Sequence, residues 1–167
     1  PANDLTYRAP VIITMDGRHG PAVGGTPLFI EGEGFGVPTG GNISQTIVDY
    51  DGLKVFVGDT PCAVVTMKDA NNLVCITPAG CGKNEPVTVQ VGGQKSKVDP
   101  RFHTFTYDAP QVVTMSPKEG NPAGGQLMTI VGSSFGTPAT CGGKPNITIA
   151  GRQCALIDGA TALKAVQ

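Results

Sequence analysis

The chain has 167 residues, of which 40% are hydrophobic, with 24 glycines, 14 prolines, no tryptophan and a net charge of −1. That hydrophobic share supports a packed core, while the near-neutral, interspersed charge excludes the basic footprint of a nucleic-acid binder and the polybasic patch of a membrane-surface protein. No apolar run approaches the roughly 20 residues of a membrane span, and the chain opens at Pro1 with no signal peptide or initiator Met, so it reads as a processed product or a piece of something longer.

From the N-terminus, Asp4-Leu5-Thr6-Tyr7 has the look of a short strand. Pro10 opens the next strand, where no ladder donor is needed. A turn follows at Asp16-Gly17-Arg18-His19-Gly20. Gly24-Gly25 then reverses the chain into Leu28-Phe29-Ile30, and glycine permits the positive φ that a reversal uses. Phe35 follows small residues at a strand end and is expected to plug one end of a core. Asn42 follows Gly40-Gly41, and Asp49-Tyr50-Asp51-Gly52 reads as a hairpin turn. Val55-Phe56-Val57, Ala63-Val64-Val65 and Leu73-Val74-Cys75-Ile76 are further strands, the last two joined by a polar turn over residues 69–72. Val87-Thr88-Val89-Gln90-Val91 alternates as a half-buried strand does, and residues 102–107 close the series. Glycine and proline spread among short apolar runs predict many turns between short strands. No stretch holds helical spacing over three turns, and only residues 160–166 could form a short helix.

Residues 9–36 and 109–136 align without a gap. Ala-Pro, Thr-Met, a turn glycine, Gly-Gly, the Ile before Gly, and Phe-Gly all recur. A period this long predicts two copies of one small domain in series, each near the common domain size of about 100 residues. The first copy spans residues 9–108 and the second residues 109–167. The second ends at a segment aligning with residues 73–77, so the counterpart of residues 78–107, about two strands, is missing from it. Residues 1–8 are a surplus, because residues 4–10 resemble residues 104–110, the closing strand of the first copy. Two explanations stand. The chain is a window on a longer tandem array, or Leu5, Thr6 and Tyr7 of one molecule complete the second domain of the next. Head-to-tail donation builds open filaments, although one donated strand leaves another strand's worth unaccounted for.

Five cysteines lack a Cys-x-x-Cys pair or a nearby His, which argues against metal and for an oxidising compartment. Cys62 and Cys75 flank two short strands whose ends can meet at bridging distance; the alternative is two buried thiols. Cys154 takes the place in the second copy that Cys62 holds in the first, and its equivalent partner falls near Ala165. Cys141, which precedes it across the strand pair of residues 146–149 and 150–153, is a candidate partner, with Cys81 left free or bonded to another chain. Asn42-Ile43-Ser44 and Asn146-Ile147-Thr148 are N-glycosylation acceptors in corresponding regions of the two copies. The plainer reading is that Asn42 closes a turn and Asn146 starts a strand.

The repeated residues resemble the IPT/TIG domain family, the immunoglobulin-like fold shared by plexins and transcription factors. The resemblance rests on Pro10, Gly20-Pro21, Gly24-Gly25-Thr26, Gly32-x-Gly34-Phe35-Gly36, Val55-Phe56-Val57-Gly58, Cys62, Cys75-Ile76-Thr77-Pro78, residues 87–93 and Phe105-Thr106-Tyr107. In the second copy it runs from Pro110 through Phe135-Gly136 to Ile147-x-Ile149-x-Gly151 and Cys154. It implies an all-β chain of two tandem immunoglobulin-like β-sandwiches, the second incomplete, with cores filled by alternating inward residues of two sheets.

Chemistry is sparse. His19 sits in a turn and His103 near a terminal strand, neither beside a nucleophile set by motif. Gly32-Glu33-Gly34-Phe35-Gly36 lacks the Lys and helix of a phosphate loop. Asp49, Asp51, Asp59, Asp69 and Glu85 could offer oxygens to calcium, but they show no Asp-x-Asp-x-Asp-Gly order. No enzyme activity, cofactor or metal is expected. The leading expectation is an extracellular or cell-surface structural protein, a glycosylated filament or fibre of head-to-tail copies. The alternative is a spacer of further tandem domains in a plexin-like receptor or adhesion ectodomain. An enzyme accessory module and a DNA-binding Rel-like module come behind these, the last opposed by the neutral charge. Expected partners are other copies or further domains and N-linked glycans, with no nucleic acid and no membrane insertion.

Overall fold

The structure, a computed structural model, describes residues 7–36, 45–47, 52–143, 145–156 and 163–166, with the backbone alone for 45–47 and 163–166. The chain divides into two compact units, Pro1–Tyr107 and Asp108–Gln167.

The first unit is built from β1 (Val11–Asp16), β2 (His19–Gly20), β3 (Pro27–Glu33), β4 (Gln45–Ile47), β5 (Lys54–Val57), β6 (Thr60–Pro61), β7 (Val64–Asp69), β8 (Asn72–Ile76), β9 (Glu85–Val91), β10 (Gln94–Lys95) and β11 (Thr104–Tyr107). One sheet runs β1-β3-β8-β7-β4 and the other β2-β11-β9-β5-β6, with β10 beside β9. Two-residue periodicity decides which side chains meet between them. In β3, Leu28 and Ile30 are fully buried while Phe29 faces outward, 50% exposed. Val55 and Val57 of β5 and Val87 and Val89 of β9 close the core from the other side. Phe35 is buried within it, as its place at a strand end predicts.

Gly32 and Phe35 form one device. A Cβ on Gly32 would meet the Val11 carbonyl and lie 2.5 Å from Phe35 Cζ, so only glycine lets the ring cross that strand. The second unit repeats it: a Cβ on Gly132 would meet the Gln111 carbonyl and lie 2.6 Å from Phe135 Cζ.

The second unit holds β12 (Gln111–Ser116), β13 (Leu127–Ser133), α1 (Pro138–Cys141), β14 (Thr148–Ile149), β15 (Arg152–Gln153), β16 (Ala155–Leu156) and β17 (Leu163–Val166). Its larger sheet runs β12-β13-β17-β16, and β14 pairs β15. The β12–β13 register copies β1–β3, including the irregularity between Val112 and Thr114 that matches the one between Ile12 and Thr14. Within residues 160–166, where a short helix was the one helical expectation, Leu163–Val166 is a strand laid between β13 and β16. Pairing on both sides supplies its backbone bonds and overrides local propensity. The short helix forms instead at α1, where Thr137 caps the Thr140 amide, Pro138 occupies the first turn and Gly142 ends it at φ 66°.

Candidate functional site

The first unit is fastened at three points. Cys62 and Cys75 form a disulfide, with Cα atoms 6.0 Å apart, between the β6–β7 junction and β8. The Cys62 amide also donates to the Val55 carbonyl at 2.8 Å. At the closing strand, the Tyr107 hydroxyl donates to the Pro78 carbonyl at 2.9 Å, and its ring meets Phe105 edge-on with centroids 5.0 Å apart. Burial, then the Glu85 carboxylate, pushes the Tyr107 phenol above its ordinary range. Between β7 and β8, Asp69 Oδ1 accepts from the Asn71 amide at 2.8 Å and from Asn72 Nδ2 at 2.9 Å. The Asn71 bond first, then that of Asn72, holds this exposed carboxyl below the usual carboxylate range. Asp69 is thereby committed to a turn. Among the described residues no three His, Cys, Asp or Glu side chains gather as a metal site.

The second unit departs from this plan. The Cys154 amide donates to the Ile147 carbonyl at 2.8 Å, as Cys62 does to Val55. Ala165 faces Met128 across β13–β17 as Cys75 faces Leu28 across β3–β8. Cys154 therefore stands in the Cys62 place while its partner position holds alanine, and it is a buried free thiol. The expected Cys141–Cys154 pairing does not form. Cys141 lies in α1 and is committed to a disulfide in which Cys154 has no part. Cys81, expected to be free or bonded to another chain, is likewise disulfide-bonded.

Of the other predicted positions, Asn42, Leu5 and Thr6 lie outside the described residues, as do Asp49 and Asp51. Asn146 and Thr148 are exposed. Tyr7 is 78% exposed, and its backbone carbonyl accepts from Gln94 Nε2 at 2.9 Å. Its repeat partner Tyr107 is 5% exposed. The same contrast marks the sheets: Ile12 is 3% exposed and Val112, one repeat later, 60%. Every residue of β12 is exposed.

Sequence reasoning missed a polar cavity of about 560 Å³ in the first unit. The β1–β2 turn brings Asp16, Arg18 and His19 to it, the turn before β11 brings Arg101, and Asn84 closes its rim. Arg18 and Arg101 are far apart in the chain, and neither belongs to a motif. Only folding joins them.

The IPT/TIG domain family matches residues 10–105 and 110–163. This chain belongs to that family. It is 32% identical over 135 residues to mouse Plexin-B3, covering 79% of this chain and 6% of the relative. It is 34% identical over 130 residues to human Plexin-B1, covering 76% and 6%. Among solved structures, the Plexin A4 full extracellular region aligns with 94% of this chain and 15% of its own, at 18% identity and a TM-score of 0.42. The chain thus spans about 6% of the length of those two curated relatives. The IPT/TIG units are an extracellular or cell-surface segment, since Cys62, Cys75, Cys81 and Cys141 are all oxidised and such bonds persist where thiols are not kept reduced. No helix among the described residues is long and apolar enough to cross a membrane.

Proposed function

We propose that these IPT/TIG units are a non-enzymatic spacer within a plexin-like receptor ectodomain, placed among further domains of the same kind. One observation carries the reading. The sheet face that is buried at Ile12 lies open at Val112, in the same register. An apolar sheet face is stable when a second layer covers it. In unit 1 that layer is β5, β9 and β11. Residues 109–167 hold one sheet and, in β14 and β15, the counterparts of β5 and β6 alone from the second; in this reading further chain supplies the rest of that layer, the counterpart of residues 78–107. Residues 1–8 fit the closing strand of a neighbouring domain, with Tyr7 as the counterpart of Tyr107. Asn42 and Asn146 carry N-linked glycans in this reading, and the exposure of Asn146 supports that.

The experiment is amide hydrogen exchange on a longer parent ectodomain containing these units, beside residues 1–167 alone. In the spacer reading, the β12 amides gain protection in the parent at high dilution. A filament of strand-donating copies is the competing reading. It requires the same protection in residues 1–167 alone, rising with concentration together with mass in light scattering. Treatment with a peptide N-glycosidase reports the glycans as a mass loss.

A further inference from the structure

The cavity at Arg18 is not explained by the spacer role. Nothing in a sandwich core requires two guanidinium groups at one end of a sheet. Arg18 Nη1 donates to the Arg101 and Phe102 carbonyls at 3.3 and 3.2 Å. Those bonds fix the plane of the guanidinium and leave Nη2 and Nε, three of its five N–H groups, unassigned by them. The Arg101 side chain is 83% exposed, and its carboxylate neighbour among the described residues, Asp99, is 3.9 Å away. A surface pair at that separation holds the side chain weakly, so Arg101 can swing toward an incoming group.

The remaining lining supplies donors as well. Thr104 and Thr106 contribute hydroxyls, and Asn84 contributes its amide. Thr106 Oγ1 already accepts from the Asn84 backbone N–H at 3.1 Å, which leaves its own proton to donate. That contact forms with Asn84 at φ 58°, a left-handed conformation that Asn tolerates better than most residues. The one acidic side chain in the lining, Asp16, has Oδ1 committed to the Gly17 amide at 2.8 Å. Two guanidinium groups therefore stand against one carboxylate among the described lining residues. No Phe, Tyr or Trp stands among the described lining residues, and His19 is the one aromatic ring there, so the broad stacking face typical of neutral-sugar sites is lacking. Its volume suits a small ligand group.

We propose that this cavity binds the oxyanion of an acidic sugar, a sulfate or a uronate carboxylate of an extracellular glycan. Arg18 is the fixed fork and Arg101 the mobile clamp, because guanidinium groups match planar and tetrahedral oxyanions with paired N–H donors. The threonine hydroxyls and Asn84 receive the neighbouring ring oxygens. The site depends on the extracellular location and is independent of whether the chain is a spacer.

The test is calorimetric titration of the full 167-residue chain with three oligosaccharides of equal length. A heparin fragment carries sulfate and carboxylate, a hyaluronan fragment carboxylate alone, and a maltodextrin neither. Binding of one or both acidic sugars without the neutral one is expected, and hyaluronan separates the two oxyanions. Arg101→Gln should weaken that binding by about tenfold or more, the loss typical of a charged hydrogen bond. Lys68→Gln, on the exposed end of β7, should leave it within twofold or so. The side chain of Arg101 is solvent-facing, and a thermal melt confirms that the variant is folded. Three results overturn the proposal: no binding of either acidic sugar, equal binding of the neutral sugar, or an Arg101→Gln effect no larger than that of Lys68→Gln.

Discussion

The Tyr107 hydroxyl donates to the carbonyl of Pro78, 29 residues earlier in the chain. The bond ties the closing strand β11 to the loop after β8, and the ring packs so tightly that a Cβ on Gly80 would lie 2.5 Å from its Cζ. Tyr107→Phe removes the donor and leaves a partly buried carbonyl short of a partner. It should cost about 1–2 kcal/mol, measured by urea unfolding. The pH dependence carries a sign. The folded phenol is raised above the ordinary tyrosine value of about 10. Above about pH 10 the unfolded chain gives up a proton that the folded one keeps, so stability is whole below that pH and falls as pH climbs further. Tyr107→Phe should reduce this alkaline loss, and an unchanged slope would exclude Tyr107 as its source.

Gly32→Ala should destabilise the first unit by about 1–3 kcal/mol, because the new methyl meets backbone at Val11 and the ring of Phe35. Gly132→Ala meets Gln111 and Phe135 in the same way. Calorimetric melts of each variant check this. A neutral result at Gly32 would mean the Phe35 ring does not cross the strand there.

In the second unit the register offers a bond the sequence does not use. Ala165→Cys places a thiol at the Cys75 position of the β13–β17 register, across β16 from Leu156, two residues beyond Cys154. Thiol titration of the denatured, unreduced protein should fall from one group, Cys154, to none. The new loop should add up to about 3 kcal/mol of stability. Two titrating thiols would sink the equivalence of the two registers.

Ile12 and Val112 occupy one repeat position in two environments. Ile12→Ala should cost about 2–5 kcal/mol as a buried truncation, and Val112→Ala within about 0.5 kcal/mol for residues 1–167 alone. Hydrogen exchange by peptide separates the two units. In the parent protein the Val112 cost should rise toward that of Ile12, since there the face is proposed to be covered.

Much of this molecule is readable in the bare string of residues. Recurrence of Gly24-Gly25 and Phe35-Gly36 at Gly124-Gly125 and Phe135-Gly136 fixes two copies of one β unit, because turn glycines and alternating apolar residues act locally. The Cys62–Cys75 staple is legible for the same reason: one hairpin brings together ends separated by 13 in sequence. Local pattern failed where partners came from afar. Residues 160–166 carry enough alanine to suggest helix, yet Leu163–Val166 is held as strand by neighbours on both sides. That the disulfide of Cys141 leaves Cys154 out, and that Cys81 is oxidised, is also invisible in spacing. So is the cavity of Arg18 and Arg101, 83 positions apart, since a binding group is made of directions in space that a linear order does not encode. Sequence determined which faces are apolar. Tertiary structure alone decided which of them are covered, because burial depends on the layer that arrives opposite and not on the strand itself.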